Sequence, residues 1–120
     1  MKFPDAYVLV RVKIFENNDG IKTGEVLKLF STFYGGYLDG DSWRLNSGIT
    51  KVVKIRDDTF QVFGKSTTVY EVGNVGVSSY TASILQSMVE KVPDYCEATV
   101  ISNEKEVLAV MNAEAQKSLT

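Results

Sequence analysis

No histidine occurs in the chain, and its single cysteine, Cys96, has no second thiol to pair with. Histidine is the usual general base near neutral pH and the usual imidazole ligand of transition metals. Within this chain Ser-His-Asp and Cys-His catalysis are therefore excluded, and one thiolate cannot build a zinc site. What remains for chemistry is carboxylates, lysines, tyrosines or a carboxylate-held Mg²⁺. Few spacings suit even these. Ser102-x-x-Lys105 has the interval of a serine–lysine nucleophile, and Lys22-Thr23-Gly24 matches a partner motif of β-lactamase-type enzymes. Their order along the chain is reversed, and helix capping plus a turn accounts for both. Asp39-x-Asp41 begins like a calcium loop, but position five is Trp43 and position twelve is Thr50, which an EF-hand does not allow. Asp57-Asp58 falls where a hairpin must turn, an ordinary place for solvated acids. The reading is of a protein without catalytic residues, metal or cofactor.

Two stretches suit binding better. Phe30–Arg44 (FSTFYGGYLDGDSWR) places two Phe, two Tyr and the only Trp of the chain beside glycines and acids. Aromatic side chains on a pliant frame next to charge are what protein interfaces use as anchors. The candidate partner-binding residues are Phe33, Tyr34, Tyr37, Asp41, Trp43 and Arg44, with stacking by Tyr34, Tyr37 and Trp43 and polar selection by Asp41 and Arg44. The same composition also suits a core of Phe30, Phe33 and Trp43 with tyrosines at its rim. The second stretch is Gly73-Asn74-Val75-Gly76 followed by Ser78-Ser79, between a strand and a helix. Backbone N–H groups at a helix start attract anions, and glycine permits close approach. Gly73, Asn74, Gly76, Ser78 and Ser79 thus form an alternative site for a small, nucleotide-like anion. The full phosphate-loop and dinucleotide fingerprints are absent, and a tight turn explains the glycines equally.

Composition frames these options. At 120 residues the chain suits one domain, 1–120, large enough to bury a core without disulfides. Apolar residues make up 44% and charged residues 23%, with a net charge of −2, inside the globular regime. The thirteen basic residues are scattered, so no cationic face for nucleic acid is expected. The N-terminal MKFPDAYVLVRVKIF has no signal-peptide core, and Arg11 and Lys13 interrupt its apolar run. A cytoplasmic protein with no membrane partner is expected, and Cys96 reads as a small buried hydrophobe.

The positioning elements follow from periodicity. Residues 6–15 alternate as a strand, closed by the turn-forming Asn17-Asn18-Asp19-Gly20. Residues 24–34 carry both signals, and the stripe of Val26, Leu27, Phe30 and Phe33–Tyr34 predicts a short helix. Strands at about 42–46, 49–56, 59–64 and 67–72, joined by two- or three-residue turns, read as an antiparallel meander. A helix is expected at 78–92, with Tyr80, Ile84, Leu85, Met88, Val89 and Val92 facing inward and a serine cap. Residues 95–101 read as a strand. A last helix at 104–117 starts at the Asn103/Glu106 capping pair and buries Val107, Leu108, Met111 and Ala115. The fold class is α+β: one antiparallel sheet of about five strands, with two C-terminal helices packed on one face. The exposed edge of the first strand, or that of 95–101, invites a homodimer or higher oligomer.

Three segments carry a family resemblance. SWRLNSGITKV, DDTFQVFGKSTTVYEV and GVSSYTASILQSM hold the run Trp43-Arg44-x-Asn46-Ser47-Gly48-Ile49, a hairpin, Tyr70-x-Val72 and a Gly/Ser/Tyr-rich helix start. Over residues 42–88 the chain resembles small accessory proteins of tailed bacteriophages. The resemblance implies a setting, since understood members often bind and disable a host or defence component, and it transfers no site residue. The function expected is a non-enzymatic, phage-encoded inhibitor or modulator of a host or defence protein. The alternatives are an oligomeric nucleotide-like ligand binder or sponge, and an enzyme without histidine.

Overall fold

The computed structural model describes residues 1–16, 21–35, 40–73 and 76–119. Tyr37, Asn74 and the turn expected at 17–20 lie outside these residues. The spine is an antiparallel pair, β1 (Ala6–Glu16) and β2 (Ile21–Phe33), in register from Ala6↔Thr32 to Ile14↔Gly24. The helix expected over 24–34 is instead the greater part of β2. Two-sided burial explains the difference. Leu27 and Leu29 are buried on one face and Phe30 and Thr32 on the other, so the apolar run is nearly continuous and imitates a helical stripe.

The spine is extended on both sides. β3 (Ser42–Leu45) pairs with β2, and β7 (Cys96–Ile101) pairs with β1, giving the order β3-β2-β1-β7. A second antiparallel sheet holds β4 (Lys51–Arg56), β5 (Thr59–Phe63) and β6 (Val69–Gly73), in that order. The expected single sheet of about five strands is therefore two sheets, of four and three strands. The division falls at Asn46–Ile49. There the chain does not reverse as a hairpin. It continues along β2, with the Asn46 N–H donating to Leu29 O (2.9 Å) and the Ile49 N–H to Leu27 O (2.7 Å). The Asn46 side chain fixes this path, its buried Oδ1 accepting from the Leu29 N–H at 2.8 Å and the Gly48 N–H at 3.3 Å. The N-terminus ties the sheets together, because the Lys2 N–H donates to Val69 O and the Glu71 N–H to Lys2 O.

Helix α1 (Ser79–Val89) and helix α2 (Glu104–Ser118) cover opposite faces of the four-stranded sheet, not one. Tyr7, Leu9, Leu29 and Ile101 meet Val107, Met111 and Ala115 of α2 together with Val52, Phe60, Val62 and Val72 of the second sheet. Val8, Val10 and Phe30 on the other face meet Leu85, flanked by Ala82, Ile84 and Val89 of α1. Each buried aliphatic side chain contributes about 1.5–3 kcal/mol. Because β1 and β2 are apolar on both faces, two covers are required, and the helices divide between them. Ser78 and Asn103 cap the two helices. The Asn103 Oδ1 accepts from the Lys105 and Glu106 N–H groups at 3.0 and 3.2 Å.

Candidate functional site

Strand alternation divides the aromatic segment between two faces. Trp43 and Leu45 pair with Thr32 and Phe30 and so share the face that α1 covers, whereas Arg44 and Phe33 belong to the opposite one. Phe30 is core, 1% exposed. Phe33 packs half-buried against the core around α2, with the Lys2 ammonium 5.8 Å from its ring centroid. Arg44 is exposed, and it does not share a surface with Trp43.

What gathers instead is Trp43, Tyr80, Tyr34 and Asp41. Trp43 and Tyr80 are 38% and 44% exposed, with ring centroids 6.4 Å apart at 54°, inside the range of favourable tilted pairs. The Tyr80 hydroxyl donates to Asp41 Oδ2 at 3.3 Å. Partial desolvation first, then the Asp41 carboxylate, then Tyr34 hold the Tyr80 phenol above its ordinary pKa. Tyr34, 52% exposed, is anchored through its N–H to Asp5 Oδ2 at 2.8 Å.

Tyr80 was expected on the buried stripe of its helix. That stripe is centred elsewhere, on Thr81 and Leu85, which leaves Tyr80, Met88 and Val92 exposed. The signal for this rotation is the hydroxyl at position 81, which has a buried partner in Thr32 at 2.8 Å. Beside α1, the sheet and helix leave an open apolar groove of about 200 Å³, lined by Val10, Val12, Leu45, Leu85, Met88 and Ala98 among others. Leu45 adjoins Trp43 along β3, so the aromatic cluster, with its Asp41 carboxylate, runs on into the apolar groove.

The glycine junction has a packing explanation. A Cβ on Gly76 would lie 3.1 Å from the Tyr7 ring, and one on Gly73 would lie 3.2 Å from Asp58 O. Ser78 spends its hydroxyl on the Thr81 N–H as the helix cap, and Ser79 is exposed in the first turn. Cys96 is half-buried. Among the described residues, no three of His, Cys, Asp and Glu come together as a metal would require, and no helix is long and apolar enough to cross a membrane. No family model, curated protein or solved structure matches the chain.

Proposed function

We propose that this protein is a non-enzymatic binding module whose Trp43–Tyr80–Tyr34 cluster, with Asp41, docks on another protein. The observation that supports this reading is the exposure of Trp43 and Tyr80 on two different elements, held against each other and continuous with an apolar groove. Interface hot spots are enriched in Trp and Tyr set beside apolar recesses, with a few polar groups fixing orientation. Asp41 supplies that orientation as an acceptor, with one of its carboxylate oxygens already holding the Tyr80 hydroxyl. The resemblance to phage accessory proteins makes a host or defence component the class of partner, and inhibition or modulation the outcome of binding.

The test compares parent, Trp43→Ala, Tyr80→Ala and, as the off-surface control, Arg44→Ala. A protein retained from bacterial lysate by the parent is identified, purified and titrated against all four by calorimetry. Loss of tenfold or more in affinity for the first two variants, about 1.4 kcal/mol, with Arg44→Ala near parent, supports the proposal. Equal affinity of all four refutes it.

A further inference from the structure

β7 is one of the two edge strands of the four-stranded sheet, and we infer that it pairs antiparallel with β7 of a second copy, in the register that places Thr99 on the dyad. β7 is six residues long and pairs with β1 without a break from Leu9↔Ile101 to Ile14↔Cys96. Proteins normally protect such an edge with proline, lysine or a bulge. The sequence CEATVI has no proline or lysine, and the β1–β7 register shows no bulge. Among the described residues no strand lies on its outer side.

Hydrogen-bond parity fixes which groups are free. The Phe15 N–H donates to Tyr95 O, so odd-numbered residues of this strand bond to β1, and even-numbered ones point outward, as antiparallel alternation requires. The Cys96 N–H is taken by Pro93 O at 2.9 Å. Ala98 and Val100 are left with outward N–H and C=O groups. Within Cys96–Ile101 one antiparallel register satisfies both residues of both copies: Ala98 opposite the second copy's Val100, with Thr99 opposite itself between them, whereas a dyad at Val100 would draw on Ser102 beyond the end of the strand. A dyad at Ala98 would instead need the Cys96 N–H.

The side chains agree with a second copy as the occupant. Glu97, the one charged residue of β7, stands opposite Ile101 and not its own counterpart, so like charges do not face each other. Thr99 faces Thr99 on the sheet face that carries Ile101. On the other side, Ala98 meets Val100 next to the exposed Met88 and Val92, which line the same groove as Ala98. A dyad perpendicular to the sheet brings the apolar ends of both grooves together. It also leaves the two β3 strands at the far ends of a continuous eight-stranded sheet, roughly 34 Å apart, with both aromatic clusters on one side. Such a dimer presents two copies of the aromatic surface and engages a multivalent partner with avidity.

The test uses the full chain in a Cys96→Ala background. Opposed residues of a non-hydrogen-bonded antiparallel pair lie about 4.5 Å apart at Cα, within disulfide reach. Thr99→Cys is therefore expected to give a disulfide-linked dimer under mild oxidation. Glu97→Cys, displaced from its own counterpart by four positions, is expected to remain uncrosslinked. Light scattering should give twice the chain mass for the parent and one chain mass for Ala98→Pro, whose lost N–H points away from β1. Circular dichroism verifies that this variant stays folded. A parent that is monomeric, or cysteines that crosslink equally at 97 and 99, overturns the inference.

Discussion

Thr32 and Thr81 touch through their hydroxyls, 2.8 Å apart and wholly buried, where helix α1 lies on β2. Each hydroxyl is the partner of the other, so the pair fixes the rotation of α1 that leaves Tyr80 outside. Replacing either residue with valine keeps the shape and strands the remaining hydroxyl, at a cost of about 1–3 kcal/mol. Replacing both removes the unpaired group as well. Urea unfolding of Thr32→Val, Thr81→Val and the double variant should show the double costing less than the two singles together. Simple additivity would mean that the hydroxyls do not interact.

Gly48 supports the passage between the two sheets and cannot carry a side chain. Its φ is +120°, and a Cβ would stand 2.9 Å from Val26 Cγ2. Gly48→Ala is expected to destabilise by about 1–3 kcal/mol. Gly40, also left-handed at φ +66° but with nothing within 4 Å, gives the reference for backbone strain without a clash. A thermal melt in which Gly40→Ala costs as much as Gly48→Ala would remove the steric argument.

Tyr7 makes stability fall in alkali. Burial first, and then the nearby Glu104 carboxylate, raise its phenol well above the ordinary 10.0. A group whose folded pKa exceeds its unfolded value binds its proton more tightly in the native state. Its contribution is complete below the unfolded value and is lost as pH rises towards the folded one. Unfolding midpoints should therefore decline from about pH 10 upward, and Tyr7→Phe should flatten that decline while leaving the neutral-pH slope unchanged. Parallel curves for the two proteins would show that other groups govern alkaline unfolding.

Local features of this fold were legible and global ones were not. Turn residues at Asp57-Asp58 and Gly64–Ser66, the alternation of β1, the caps at Ser78 and Asn103, and the buried face of α2 all follow from neighbours a few positions apart. β2 failed for a physical reason, because a strand buried on both faces loses the period-two signal that distinguishes it from a helix. Asn46-Ser47-Gly48 has the chemistry of a hairpin turn, but the Asn46 amide takes the Leu29 N–H across the sheet and sends the chain onward. Of the aromatic site, Trp43, Tyr34 and Asp41 were visible as composition. Tyr80 was not, because its place depends on where Thr81 finds a partner 49 residues away. The separation of Arg44 from Trp43 is simple pleat alternation, readable as soon as residues 42–45 are known to be a strand.

The opposite placement of the two helices has a consequence for biosynthesis. The β1–β2 pair is complete once residue 33 has left the ribosome, but α1, the cover for Val8, Val10 and Phe30, begins only at Ser79. At ordinary elongation rates that apolar surface is bare for a period on the order of seconds. The nascent chain thus carries this bare face until residue 79 and beyond, and a slow codon cluster before residue 79 would lengthen that interval.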